Sequence, residues 1–337
     1  MHSNRRKFLK TGAVGFASTA AAFAPGAAGA AQATTAQPAA FEMPRNMTLL
    51  NMRTAAGPRL GVKQARGILD VAAASAMYKL PAPVDTDDLL QNGKGGMLAR
   101  VVAAADEGPA RLFLSEGRVQ HAPLVTRPEK ILMMGFNYRR HAAETGTPIP
   151  ANPILFNKFN NALNHHGGTI GLPAVARNFD YEIELVIVFG RECRNVPEAA
   201  ALDYVAGYCT GNDFSARDMQ YLTSQFMIGK TFDGFAPLGP QLVTSDLVGD
   251  PNSLRLECRV NGEQRQDWNT NDMIFNCRQM ISFASRMMTI KPGDVLFTGT
   301  PHGVIFGKPK AEQVWLKAGD RVVCSVEKLG ELAFSLT

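Results

Sequence analysis

The sequence lacks the cysteine and histidine spacing of a zinc site. Its 337 residues contain five cysteines and six histidines, with no Cys-x-x-Cys pair and no Cys/His cluster. His165 and His166 are adjacent, and adjacent side chains diverge, so we expect a loop there and no metal site. An odd cysteine count forces no disulfide. We therefore interpret the cysteines as small core residues: Cys193, Cys209, Cys258, Cys277 and Cys324.

Nucleotide-binding motifs and internal repeats are also absent. No Gly-x-Gly-x-x-Gly follows a strand-like run, and there is no phosphate-loop lysine. Strand-like segments do not alternate regularly with helices, which excludes a doubly wound nucleotide-binding fold. The one apolar segment near the N terminus is short, rich in Ala and Gly, and broken by Pro25, so it does not have the composition of an anchor helix.

Residues 1–30 have four basic residues and no acidic one. Arg5 and Arg6 precede Lys7, and an apolar stretch ends in Ala28-Gly29-Ala30, which resembles a twin-arginine export signal. The protein is then expected to be periplasmic or secreted. Removal of this segment lowers the formal net charge from +5 to about +1. The charge of the mature chain therefore gives no support for a nucleic acid or a membrane as partner.

The rest of the chain divides by pattern. Residues 31–46 are a small-residue linker, and 47–125 are expected to form a small α+β accessory domain. Residues 126–337 are rich in strand-like runs punctuated by Gly and Pro, which predicts a separate β-rich domain. Strands are predicted at 47–52, 59–62, 67–71, 131–134, 154–156, 182–189, 205–212, 254–260, 295–299 and 321–326, and helices at 89–105, 197–201 and 274–287.

Two acidic residues interrupt a buried strand pattern at 181–189. Glu182 and Glu184 are two residues apart, so a strand places them on one face together with Val186 and Val188. Two like charges in an apolar setting are costly unless they are neutralised, and a divalent cation neutralises them well.

Asp213 is the best candidate for a third ligand, because it ends the apolar run 204–212 and would lie at the mouth of a site. Three carboxylates without His or Cys favour Mg²⁺ or Mn²⁺ over zinc. An ordinary ion-pair network with Arg177, Arg191 or Arg194 is the alternative, and the residue types alone leave both open.

Other polar residues could act on a substrate. Lys230 lies among apolar and aromatic residues and could bind a carboxylate or stabilise an enolate oxygen. Arg217 and Gln220 are one helical turn apart and could grip a carboxylate. His141 and Glu144 have the spacing of a general base with its orienting acid, although an exposed pair on a surface helix has the same spacing.

These segments together resemble the fumarylacetoacetate hydrolase family over nearly the whole mature chain. The motif-like stretches are Gly135-Phe136-Asn137-Tyr138 with His141 and Glu144, Asp180-Tyr181-Glu182-Ile183-Glu184-Leu185, Asn212-Asp213 through Gln220, Gly229-Lys230-Thr231-Phe232-Asp233, and Lys291-Pro292-Gly293-Asp294 with Thr298-Gly299-Thr300-Pro301.

The resemblance implies a β-rich α+β fold, a mixed β-sheet roll or barrel, a homodimer, and residues 126–337 as the catalytic domain. It also implies a Mg²⁺ or Mn²⁺ site on Glu182, Glu184 and Asp213, catalytic roles for His141, Glu144 and Lys230, and substrate contacts from Arg217, Gln220 and Thr300.

The expected function is hydrolysis of a carbon–carbon bond in a small 2-oxo or 1,3-dicarbonyl acid of the acylpyruvate type. A 2-oxo acid decarboxylase, isomerase or lyase would use the same site, and a periplasmic binding protein without catalysis is the alternative from another class. The sequence does not separate the enzymatic alternatives.

Overall fold

The computed structural model describes residues 41–337, and residues Ala40–Thr337 form one compact unit. The expected export signal at 1–30 and most of the linker at 31–46 lie outside the described residues and remain predictions. Between residues 41 and 337, no helix combines the length and the apolar character needed to span a membrane.

An eleven-stranded mixed sheet is the centre of the fold. Its strands are β1 (Thr48–Thr54), β2 (Gly57–Gln64), β3 (Gly67–Asp70), β4 (Phe113–Leu114), β5 (Ile131–Gly135), β6 (Ile154–Lys158), β7 (Leu163–Asn164), β10 (Ile183–Phe189), β11 (Val205–Asn212), β13 (Ala236–Thr244) and β16 (Val295–Phe297). Their order across the sheet is β4-β3-β2-β1-β13-β11-β10-β16-β5-β6, with β7 pairing to β13.

A second sheet has five strands in the order β15-β14-β17-β18-β8, and β12 pairs with β9 separately. The strands are β8 (Gly168–Ile170), β9 (Phe179–Asp180), β12 (Ser215–Ala216), β14 (Arg255–Val260), β15 (Glu263–Asn269), β17 (Arg321–Val326) and β18 (Gly330–Leu336). The α-helices are α1 (Val71–Tyr78), α2 (Thr86–Gln91), α3 (Gly95–Ala105), α4 (Arg139–Glu144), α5 (Arg217–Gln220), α6 (Ser245–Val248) and α7 (Cys277–Met287).

Apolar side chains cover both faces of the central strand β10. Leu185 and Ile187 pack with residues of the five-stranded sheet and α7, whereas Val186 and Val188 pack with α1 and α3. The continuous apolar run of this strand therefore reflects burial on both sides, and not an alternation of core and solvent.

The β-rich α+β class is confirmed, and within residues 41–337 the large sheet stays open, with β4 and β6 at its ends, so the barrel alternative is wrong. Residues 47–125 contribute strands to the same sheet, because β1 pairs with β13 at Thr48↔Val243 and Leu49↔Leu242. The domain boundary at residue 125 stays a prediction.

The helix expected at 89–105 is two helices. Gly93 separates them with φ +58°, where a Cβ atom would lie 2.4 Å from the Phe41 ring, and the Glu42–Lys94 bridge packs the preceding chain against this break. Long-range packing therefore interrupts a helical pattern. The stretch expected as a helix at 197–201 is a 3₁₀ helix, Glu198–Tyr204. Strand β13 was not predicted, and it contains Pro237 and Pro240, although proline is rare in the middle of a sheet.

Candidate active site

Strand register brings the three predicted metal ligands together. Ile183 pairs with Asn212 and Glu184 with Gly211, and the Asp213 amide donates to the Glu182 carbonyl at 2.8 Å. One carboxylate oxygen from each of Glu182, Glu184 and Asp213 lies within 4.8 Å of the others. All three side chains are buried. The two-residue period of a strand thus delivers Glu182 and Glu184 to one face, as expected.

Three buried cations surround this cluster. Lys230 Nζ lies 2.7 Å from Glu182 Oε2 and 2.8 Å from Asp213 Oδ2. Arg217 Nη2 lies 2.6 Å from Glu182 Oε1, and Lys158 Nζ lies 2.6 Å from Asp213 Oδ1. The alternative ion-pair network does not use the expected arginines. In the described part of the chain, neither Glu182 nor Glu184 forms a salt bridge with Arg177, Arg191 or Arg194.

The two glutamates differ in electrostatic environment. Burial alone would raise the pKa of Glu182, but the charges of Arg217 and Lys230 outweigh it and hold that pKa well below its usual range. Burial raises the pKa of Glu184, and the neighbouring Asp213 and Glu182 raise it further. Glu184 accepts the Gly299 amide at 2.7 Å, and no lysine or arginine among residues 41–337 forms a salt bridge with it.

These charges fit a divalent cation. Asp180, Glu182, Glu184 and Asp213 are four buried acids, and Lys158, Arg217 and Lys230 are three buried bases, so one carboxylate is left without a countercharge. The clustered donors are all oxygen atoms, which suit a hard divalent ion. The site therefore has oxygen ligands of the type that such an ion prefers and one carboxylate, Glu184, whose charge it could neutralise.

Lys158 is a site residue that the sequence did not reveal. It ends strand β6, is buried, and also donates to the Phe214 carbonyl at 3.1 Å and to the Phe235 carbonyl. Burial lowers its pKa to about 8, against the opposing effect of Asp213. A lysine at a strand end ordinarily reaches solvent, so only tertiary packing identifies this one.

Asp180 begins the motif that contains the two glutamates, but the sequence analysis assigned it no role. It is fully buried, and its carboxylate accepts Arg217 Nε at 2.9 Å and the amides of Ile305 and Phe306 at 2.9 and 3.0 Å. Arg217 also donates to Gln220 Oε1 at 3.0 Å, so the predicted pair on the short helix α5 does share one side. Asp180 thereby fixes the direction of the guanidinium.

The predicted histidine–glutamate pair lies on α4 and faces the same pocket. His141 Nδ1 is 2.7 Å from Glu144 Oε1, and Glu144 Oε2 accepts the Gly303 amide at 2.9 Å. His141 is 4% exposed, so the exposed-pair alternative is wrong. Because Nδ1 is hydrogen-bonded to Glu144, Nε2 is the ring nitrogen available for proton transfer.

Thr300 also lines the pocket, and Gln266 holds it. Gln266 Nε2 donates to Thr300 Oγ1 and to the Pro301 carbonyl, both at 2.9 Å, and its Oε1 accepts the Ile183 amide at 3.1 Å. The Gln266 side chain therefore links the loop that carries Thr300 to the start of strand β10.

Aromatic rings form the other wall of the pocket. It is lined by Phe136, Phe156, Tyr221, Phe226 and Phe306 beside the carboxylates, His141, Arg217, Gln220, Lys230 and Thr300. Every residue assigned to the site from the sequence except Glu144 thus borders a single pocket, and Glu144 contacts His141, which does line it. Their individual roles remain predictions.

The structure thus combines an open mixed sheet with a buried group of carboxylates and lysines and with an oriented histidine. The family model described as "Fumarylacetoacetate (FAA) hydrolase C-terminal" matches residues 130–337. The chain belongs to the fumarylacetoacetate hydrolase family, as its motifs indicated.

Named relatives extend this similarity. The chain is 38% identical over 297 residues to the mitochondrial oxaloacetate tautomerase FAHD2A of Bos taurus, covering 86% of this chain and 91% of the relative. The fumarylacetoacetate hydrolase of Exiguobacterium antarcticum gives a TM-score of 0.70 at 30% identity, with 86% of this chain and 99% of that chain covered.

A maleylpyruvate hydrolase from Sphingobium sp. SYK-6, solved with manganese(II) and pyruvate, gives the same TM-score, identity and coverage. A solved relative therefore binds a divalent cation, which agrees with the carboxylate cluster found here. The names of these relatives divide between tautomerase and hydrolase, so they support the family's chemistry and not hydrolysis specifically.

Proposed function

We propose that this chain is a divalent-cation-dependent tautomerase of a small 2-oxo acid of the oxaloacetate type. The observation that carries the proposal is that the His141–Glu144 pair and the Glu182, Glu184 and Asp213 cluster face one buried pocket. A proton carrier thus lies beside a site suited to stabilising an enolate. The tautomerase activity named for a relative at 38% identity supports the same reaction.

We infer that the resident cation is Mg²⁺ or Mn²⁺, held by Glu182, Glu184 and Asp213. When bound, it supplies positive charge to the 2-oxo and carboxylate oxygens of the substrate. The oxygen-only ligand set suits either ion.

The side chains of the protein would divide the remaining work. His141 Nε2 moves the proton at C3, because Glu144 holds Nδ1 and stabilises the imidazolium. Lys230 adds positive charge near the substrate oxygens. Arg217 and Gln220 contact a carboxylate, and Thr300 contacts a substrate oxygen.

The second candidate is hydrolysis of a carbon–carbon bond in an acylpyruvate. The same histidine could deprotonate a water, and the similarity to a maleylpyruvate hydrolase favours this candidate. Decarboxylation or a lyase reaction would proceed from the same enolate. A binding protein without catalysis would not need the oriented His141–Glu144 pair.

The test is turnover by the purified mature protein on oxaloacetate and on a small acylpyruvate, with Mg²⁺, with Mn²⁺ and with chelator. We expect cation-dependent conversion of enol to keto oxaloacetate without pyruvate release. Chelator-sensitive loss of the acylpyruvate enol alone would favour the hydrolase, and pyruvate release from oxaloacetate would favour the decarboxylase. Cation binding without any turnover would support the binding protein.

Two further proposals concern assembly and location. We propose a homodimer, which light scattering of the purified protein would test against a monomer. We also propose twin-arginine export, which Arg5→Lys with Arg6→Lys should abolish. Retention of export by that double variant would contradict it.

A further inference from the structure

Phe136 has a backbone conformation that its side chain disfavours. Its φ is +48°, in the left-handed region where a Cβ atom crowds the chain. A strained residue in the wall of an active site suggests a functional reason for the strain.

The next residue holds this conformation in place. Asn137 Nδ2 donates to the carbonyls of Thr298 and Phe275 at 2.8 and 3.0 Å, and its Oδ1 accepts the Phe275 amide at 2.9 Å. Gly299 packs so closely that a Cβ there would lie 2.8 Å from Asn137 Cβ. The chain after residue 136 is therefore fixed, and the turn at Phe136 follows from it.

The turn places the Phe136 ring over the imidazole of His141. The two rings are nearly parallel, at 17°, with centroids 5.7 Å apart. Phe226 meets Phe136 edge-on at 5.9 Å, and Phe226 begins the 3₁₀ turn that leads into Lys230. The Phe136 ring thus lies beside one face of the imidazole, Nδ1 is occupied by Glu144, and Phe136, Phe226 and His141 all line the same pocket.

We propose that Phe136 determines which reaction His141 performs, by excluding water from the imidazole. This inference rests on the proposed tautomerase function. In the enol-to-keto direction the O–H bond at C2 breaks and the C2=O bond forms, the electron pair of the C2=C3 bond takes a proton at C3 from the protonated Nε2, and the proton lost by the hydroxyl replaces it on the imidazole. No water is consumed.

Hydrolysis instead requires a water at Nε2. That water gives a proton to the imidazole while its oxygen bonds to the distal carbonyl carbon. The carbon–carbon bond then breaks, and its electron pair leaves as the enolate, which is protonated. On their side of His141 the apolar Phe136 and Phe226 rings offer such a water no hydrogen bond, so they disfavour it there and favour proton transfer at carbon.

The experiment compares two rates in variants at position 136. Phe136→Gly removes the ring and leaves a residue that adopts positive φ without strain, so the backbone is retained. Phe136→Leu keeps apolar bulk, and Phe159→Ala removes an exposed ring that does not line the pocket. Each is assayed for oxaloacetate tautomerisation and acetylpyruvate hydrolysis, with Mn²⁺ affinity measured separately by calorimetry.

We expect the ratio of hydrolysis to tautomerisation to rise about tenfold or more in Phe136→Gly, a part of the roughly 100-fold or larger effect of a positioned base. The ratio should stay near wild type in Phe136→Leu and Phe159→Ala, with Mn²⁺ affinity unchanged in all. An unchanged ratio in Phe136→Gly, or loss of both activities with Mn²⁺ binding intact, overturns the inference. Absence of tautomerisation in the wild-type protein would instead overturn the proposed function.

Discussion

Replacement of Glu144 by Gln removes a charge from the residue that orients His141. Each carboxylate oxygen of Glu144 accepts one hydrogen bond, from His141 Nδ1 at 2.7 Å and from the Gly303 amide at 2.9 Å. A glutamine has one acceptor oxygen and one NH₂ group. Whichever way the amide turns, its NH₂ group faces an N–H donor.

The geometry sets the magnitude. A hydrogen bond to a charged group contributes about 2 kcal/mol, so its loss at the imidazole would lower kcat about 30-fold. If the amide instead turns its oxygen to the histidine, the Gly303 N–H loses its partner and the unfolding free energy falls by about 1–2 kcal/mol. Cation affinity should not change, because Glu144 is not among the clustered carboxylates.

The assay measures kcat, Mn²⁺ affinity and urea unfolding for Glu144→Gln and for Glu312→Gln, in which the exposed Glu312 controls for the charge change. Glu312→Gln should match wild type in all three. If Glu144→Gln retains both wild-type kcat and wild-type stability, the orienting role of Glu144 is wrong.

Three other perturbations have definite outcomes. Glu182→Ala should abolish Mn²⁺ binding and turnover together, as measured by calorimetry and by the tautomerase assay. Gly211→Ala should lower the unfolding free energy in urea by about 1–3 kcal/mol, because the new Cβ would lie 2.4 Å from Val186 Cγ2. Burial, with the nearby His166, lowers the pKa of His121 from 6.5 to about 4. Between pH 6.5 and about 4 the unfolded chain therefore binds a proton that the folded chain does not. The unfolding free energy consequently falls as the pH drops through this range, and His121→Gln should reduce that fall.

Each of these predictions has a contrary result. Glu182→Ala with wild-type Mn²⁺ affinity would remove this glutamate from the ligand set. If Gly211→Ala is as stable as wild type, the side chains of β10 and β16 can move aside at this contact. An equal loss of stability between pH 7 and 4.5 in wild type and His121→Gln would mean that other groups account for the acid sensitivity.

Local periodicity explains why much of the site was visible in the sequence. Glu182 and Glu184 follow the two-residue repeat of a strand, and Arg217 and Gln220 follow one helical turn. Asp213 was placed by the end of an apolar run. In each case the geometry depends on residues that are close in the chain.

The polar site residues that the sequence analysis did not assign are held in place by partners far away in the chain. Asp180 meets amides 125 and 126 positions later, and Gln266 joins the start of β10 to Thr300. Lys158 looks like a solvated strand end until β6 packs against the segment after β11. No local pattern distinguishes such polar residues from surface ones.

The same limit applies to the fold. The helical pattern over 89–105 is continuous in sequence, and only the packing of the preceding chain at Gly93 breaks it. Strand β13 is buried in the middle of the large sheet although its prolines are typical of loops.

The pairing of β1 with β13 has a consequence for protein production. A fragment that starts at residue 126 would contain the family-matched region, but β13 would keep β11 and lose β1, and Leu238 and Leu242 would lose the packing of α1 and α3. An unpaired apolar strand edge is a template for association with other chains. We expect such a truncated product to collect in inclusion bodies, while a product starting near residue 41 stays soluble.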